Sequence, residues 1–229
     1  MLQSILKNKK IQELLTMLEQ GYEYPIAVLP APAGFEHVNA TACQDEAGRY
    51  VVYYQAAKNV TAYLIGHELM HLRLTLEGWP IPTLKDWGAS SEEERLFCEF
   101  SRSSIEHFVL ESRMHALGLF DDKEYYCWIC GLMLFITEHD HPYRNIAEPL
   151  KGTLSAFLFA ELELSPLSVH NKTNLLQSFS QMMPTATKYG LDLVRIYNNW
   201  EKRLPRDYYL FFAELFRAVN LQEMLAKYK

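Results

Sequence analysis

At 229 residues, with 49% hydrophobic and 22% charged side chains, the chain is long enough to bury a full-sized core and has the balance of a soluble globular protein, not of a disordered one. A formal charge of −6 argues against non-specific nucleic-acid binding as its main role, and the short basic run Lys7-Asn8-Lys9-Lys10 reads as a solvated helix face. No run reaches the roughly 18 apolar residues of a membrane span, and the N-terminus lacks the apolar region and cleavage site of a secretory signal, so no nucleic acid and no membrane is expected as a partner and the expected location is cytoplasmic.

Fourteen tyrosines and 12 phenylalanines against 10 glycines favour packed helices over loops. Residues 2 to 20 are expected to form one amphipathic helix ended by Gly21. Pro25 to Leu29 reads as a short strand closed by Pro30 and Pro32. Residues 34–42 and 49–55 read as two more strands, joined by a hairpin turn around Asp45-Glu46-Ala47-Gly48. A helix then runs from Val60 and stops where Gly78 and Pro80 stand. From residue 90 onward the pattern is almost wholly helical. A long helix over 91–117 starts at the caps Ser90 and Ser91 and the acids Glu92, Glu93 and Glu94. Further helices are expected at 121–138, 145–163, 171–183, 185–203 and 205–227, with Pro142, Pro149, Pro166, Pro184 and Pro205 at their starts and connections. The fold class is therefore α+β and mostly α-helical: a small N-terminal β-sheet against the helix of residues 60–77, then a helical C-terminal half. Residues 1–164 are expected as the main domain and 165–229 as a helical subdomain. The cysteines at 43, 98, 127 and 130 do not form a disulfide framework. Cys127-Trp128-Ile129-Cys130 lies in a helical run and reads as a pair of buried helix cysteines. His139-Asp140-His141 reads as a helix C-terminal cap.

The segment His67-Glu68-Leu69-Met70-His71 is the one that specifies a chemistry. On a helix, His67 and His71 stand one turn apart and can share one tetrahedral zinc ion. Glu68 lies about 100° round the helix, where a carboxylate can take a proton from an activated water. Apolar residues at 62, 64, 65, 69, 70, 72, 74 and 76 bury this helix on more than one side. Histidines on such a helix need partners, and a metal ion satisfies two at once.

A strand followed by a helix bearing His-Glu-x-x-His, over about residues 45 to 80, resembles the zincin superfamily of metallopeptidases. The resemblance implies a zincin-like core and a zinc-dependent hydrolase with Glu68 as general base. A catalytic zinc also needs a third protein ligand. The metzincin subgroup would place glycine and histidine where Leu74 and Glu77 stand, and the aspzincin alternative would use an aspartate such as Asp86, which lacks that subgroup's flanking pattern. The gluzincin arrangement takes a glutamate from a second helix, with Glu94, Glu99, Glu106 and Glu111 as candidates on 91–117. Glu106 is the first choice, because Ile105 and Phe108-Val109-Leu110 make its surroundings the most apolar, where an unpaired carboxylate is costly. Glu99 is the runner-up, and Glu94, Glu111 and Asp86 stay open. His107 could orient a ligand from an outer position, stabilise an oxyanion, or be a core histidine with a structural hydrogen bond. His115 is a weaker candidate for the same roles.

The expected function is a zinc metallopeptidase, with Zn2+ on His67, His71 and Glu106 and a protein or peptide as substrate. An early motif followed by a helical remainder is also similar in layout to zincins that cleave one regulatory protein. The rival reading is a non-catalytic helical interaction module with a structural zinc, closed by a fourth protein ligand such as His107 or His115.

Overall fold

The computed structural model describes residues 2–33, 39–79, 83–86, 88–137, 148–202 and 208–221, and among these the chain is mostly helical with one small N-terminal sheet. The expected first helix is broken in two, α1 (Leu2–Leu6) and α2 (Lys9–Glu19). Asn8 causes the break: its side chain accepts a hydrogen bond from the Lys10 amide at 2.9 Å and caps α2. Strands β1 (Ala27–Pro30), β2 (Ala40–Gln44) and β3 (Tyr50–Tyr54) form a sheet in the order β1-β3-β2, with β1 parallel and β2 antiparallel to β3. The turn between β2 and β3 is fastened by Asp45, whose Oδ1 accepts from the Ala47 and Arg49 amides at 2.9 Å each, while Gly48 takes φ +76°. Residues 34–38 of the expected second strand lie outside the described residues.

The chain divides into two units, residues 1–79 with 110–121 and residues 80–109 with 122–229. The division falls inside one long helix, whereas the sequence reading sets a boundary at 164. In the first unit, the sheet packs on α3 (Ala62–Leu76) through β2 and β3. Thr61 caps α3 by accepting from the Leu64 amide at 3.2 Å, a contact worth about 1 kcal/mol. Gly78, at φ +72°, ends it, and the Trp79 amide closes back on the Leu74 carbonyl at 2.8 Å. Ile11, Leu14, Leu18, Val52, Ile65, Leu69, Met70, Leu74, Leu110 and Met114 make its core. Gly66 allows a close approach: a Cβ there would stand 3.1 Å from Met114 Cε and 3.2 Å from Leu119 Cδ1.

Helix α4 (Glu92–Leu117) is continuous across the division. Ser91 and Glu94 form its capping box: the Glu94 amide donates to Ser91 Oγ at 3.2 Å and the Ser91 amide to Glu94 Oε2 at 3.0 Å. The second unit holds α5 (Asp122–Thr137), α6 (Glu148–Leu164), α7 (Val169–Met182), α8 (Pro184–Glu201) and α9 (Tyr208–Ala218). Its aromatic core includes Phe157, Phe159, Tyr197, Trp200 and Phe211, with Trp200 stacked on Phe211 at 4.5 Å between ring centroids. Asp122 ties the start of α5 to the start of α7, accepting from the Ser168 amide at 2.6 Å and Asn171 Nδ2 at 2.8 Å. Among the described residues no helix is long and apolar enough to cross a membrane.

Candidate metal centre

The helix of residues 62–76 puts the two motif histidines on one face, one turn apart, and turns their rings nearly perpendicular, 77° between planes. Their Nε2 atoms converge to 3.2 Å. Two nitrogens bound to one tetrahedral zinc at about 2.0–2.1 Å would lie roughly 3.3–3.4 Å apart. The spacing thus fits a shared ion.

The far side of the His67 ring is held by a buried carboxylate. Its Nδ1 lies 3.1 Å from Glu111 Oε1, at ion-pair distance though off the line of a straight N–H···O bond. The Tyr63 hydroxyl, one turn back on α3, donates to the same Oε1 at 3.1 Å. Glu111 is fully buried, and its Oε2 has no hydrogen-bond partner among the described residues. A carboxylate in that setting is costly without a positive charge nearby. A cation on the opposite nitrogen of His67 would supply one, and the carboxylate would in turn make the imidazole a better ligand.

Glu68 points elsewhere, toward the sheet. Its Oε2 accepts a hydrogen bond from the Ala42 amide of β2 at 2.8 Å, which leaves Oε1 outside that bond. The ladder shows what else Ala42 can reach. The Gln55 amide donates to the Asn39 carbonyl and the Asp45 amide to the Arg49 carbonyl, so residues 39, 41, 43 and 45 form the hydrogen-bonded pairs with β3. Ala40, Ala42 and Gln44 therefore turn their backbone groups outward, along an edge of the sheet that pairs with no further strand among the described residues.

His107 belongs to the second unit. Like His67, His107 has its Nδ1 on a buried carboxylate, Glu161 Oε1 at 3.1 Å, with the two side chains 3% and 1% exposed. The edge of Trp128 packs against the His107 ring, 5.1 Å between centroids.

Glu106, expected as the third ligand, is buried and pairs with Arg102 Nε at 3.4 Å. Of the other candidates, Glu94 belongs to the α4 capping box, and Glu99 is exposed. Asp86 closes a local turn by accepting from the Ala89 amide at 3.1 Å, and His115 is exposed in the last turn of α4 beside Phe120. His139 and His141 lie outside the described residues. Sequence reasoning named Glu111 only as a possible ligand and did not name Tyr63 or Glu161. The available signal was the spacing of His107 and Glu111, one turn apart on the same helix.

Comparison with protein-family models, with curated proteins and with solved structures gives no match, so the reading of this site stands on its residues alone.

Proposed function

We propose that the chain is a zinc-dependent peptidase in which His67 and His71 hold the ion with a third ligand from α4, and Glu68 is the general base. The observation that carries this reading is the convergence of the His67 and His71 Nε2 atoms at 3.2 Å, with the His67 ring backed by Glu111. Imidazole donors suit zinc among the common divalent ions. Zinc, when bound, lowers the pKa of water toward neutrality and polarises a carbonyl.

The chain's own groups divide the remaining work. Glu111 stands against the His67 ring on its Nδ1 side, which leaves Nε2 for the ion. The Ala42 amide holds one oxygen of Glu68 in place. The other oxygen takes a proton from the attacking water and returns it to the leaving amine. The outward edge of β2 favours a peptide substrate. An extended chain can add to the outward-facing groups of Ala40 and Gln44 and to the Ala42 carbonyl, which brings its carbonyls past the carboxylate held by the Ala42 amide.

The test is Glu68→Gln, assayed by mass spectrometry against a diverse peptide mixture with zinc content measured in parallel. The expected result is a fall in cleavage of about 10²–10⁴-fold with zinc retained near one per chain. Equal cleavage by both proteins, or native protein that takes up no zinc, refutes the proposal.

A further inference from the structure

The structure exposes what the sequence pattern buries: Cys127 is open to solvent and Cys130 is half-buried, both free thiols one turn apart on α5. They differ from Cys98, which is buried and has no cysteine at this spacing. Tyr126 is hydrogen-bonded to Cys130. Burial pushes the Cys130 thiol up, the Tyr126 hydrogen bond offsets part of this, and the neighbouring Cys127 adds to it. Cys130 therefore stays protonated at neutral pH, while Cys127 is the sulfur that a reagent in solvent meets first.

We propose that Cys127 and Cys130 are a modification site, a dithiol that hydroperoxides oxidise to a reversible disulfide within one turn of α5. The proposal does not depend on the metal reading. Cys127 sulfur attacks one peroxide oxygen, the O–O bond breaks, and a sulfenic acid forms as the first water leaves. Cys130 sulfur then attacks the Cys127 sulfur, the S–O bond breaks, and the second water leaves. Two thiols and one hydrogen peroxide thus give one disulfide and two waters, the peroxide taking the two electrons that the sulfurs lose.

The helix makes the bond possible but strained. Residues three apart on an α-helix have Cβ atoms about 5–6 Å apart, and a disulfide needs about 3.8 Å. A 3₁₀ turn, at about 2.0 Å rise per residue, leaves such residues about 6 Å apart, so the bond requires this turn to leave regular helical geometry. Gly131 follows Cys130 directly, with open space around it, so the helix has a soft point where the turn must yield. Trp128 lies inside the same turn and packs against His107. Distorting the turn therefore displaces the ring that buttresses this imidazole.

The experiment treats the full-length protein with equimolar hydrogen peroxide and reads intact mass, peptide maps and the His107 ring-proton resonances. The expected result is a loss of 2 Da mapped to the Cys127–Cys130 peptide, reversed by dithiothreitol and absent in Cys127→Ser and Cys130→Ser. The His107 resonances move in the oxidised protein and stay in place in treated Cys130→Ser. Stepwise gains of 16 Da on Cys127 without the 2 Da loss, or a disulfide mapped to another pair or between chains, overturn the proposal. Unmoved His107 resonances in the disulfide form overturn its transmission to the imidazole.

Discussion

Replacing Glu111 by glutamine tests whether a buried carboxylate tunes the metal affinity of the histidine it touches. Glu111 is fully buried, so solvent does not screen its charge, and its Oε1 meets both His67 Nδ1 and the Tyr63 hydroxyl at 3.1 Å. The amide keeps the shape and removes the charge. Loss of such a partner behind a ligating histidine costs about 10–100-fold in metal affinity, or roughly 1.4–2.7 kcal/mol. Tyr63→Phe removes only a neutral donor to the same oxygen and should cost about 0.5–1.5 kcal/mol. Zinc affinity is read by competition with a chromophoric chelator, and thermal unfolding is followed with and without zinc. The metal-free variant should be no less stable than the parent, because an undercompensated buried charge has gone; the zinc-loaded variant should lose stability in step with its lost affinity. An affinity within twofold of the parent refutes the reasoning. A loss confined to metal-free stability would show instead that Glu111 is a packing group.

Three further outcomes are expected. His107→Ala should lower zinc content well below one per chain while Glu106→Gln keeps it, by elemental analysis of protein purified without added metal; the reverse pattern would return the third position to Glu106. Glu77, at the end of α3, is pushed up by burial but held below the ordinary carboxylate range by Arg113 and then Arg73. A depressed carboxylate pKa adds stability that is full above the unfolded value and lost as pH falls through the folded one. Because the pair is partly exposed, Arg113→Ala should cost only about 0.5–1 kcal/mol at pH 7 and less in melts at acid pH, where Glu77 is protonated; an equal cost at both would refute the linkage. In the second unit, Gly190→Ala places a Cβ 2.5 Å from Phe159 Cδ1 and 2.9 Å from its Cβ, so overpacking should cost about 1–3 kcal/mol, seen as a lower melting temperature; an unchanged one would show that Phe159 yields freely.

The sequence carried the motif helix almost to its ends, because Thr61, Gly78 and the hydrophobic run between them act through the local backbone. The hairpin was legible for the same reason: Asp45 and Gly48 set its turn without help from the rest of the chain. The break at Asn8 was not, since the apolar spacing continues through it and only a side-chain cap interrupts the helix. The middle of α4 was ambiguous for a different reason. Ile105, Phe108, Val109 and Leu110 are all buried, as are Glu106, His107 and Glu111, so burial surrounds that stretch. A helix buried all round has no periodicity to say which residue faces which neighbour. The exposure of Cys127 was hidden for a related reason: Tyr125 and Ile129 on the buried face are interleaved with it closely enough to pass for one apolar run.

The contact between Glu111 and His67 supplies the missing phase. At 3.6 residues per turn, position 107 lies about 40° from position 111 round the helix axis, while position 106 lies about 140° away. A helix that presents Glu111 to His67 thus carries His107 on nearly the same face and turns Glu106 aside, where Arg102 meets it. The consequence is electrostatic as well as geometric. A glutamate ligand would cancel one charge of a divalent ion by direct contact. Imidazoles cancel none, and behind His67 the negative charge stands one ring further out, on Glu111. An ion held in that way would keep its full charge, while the carboxylate would offset the cost of burying it.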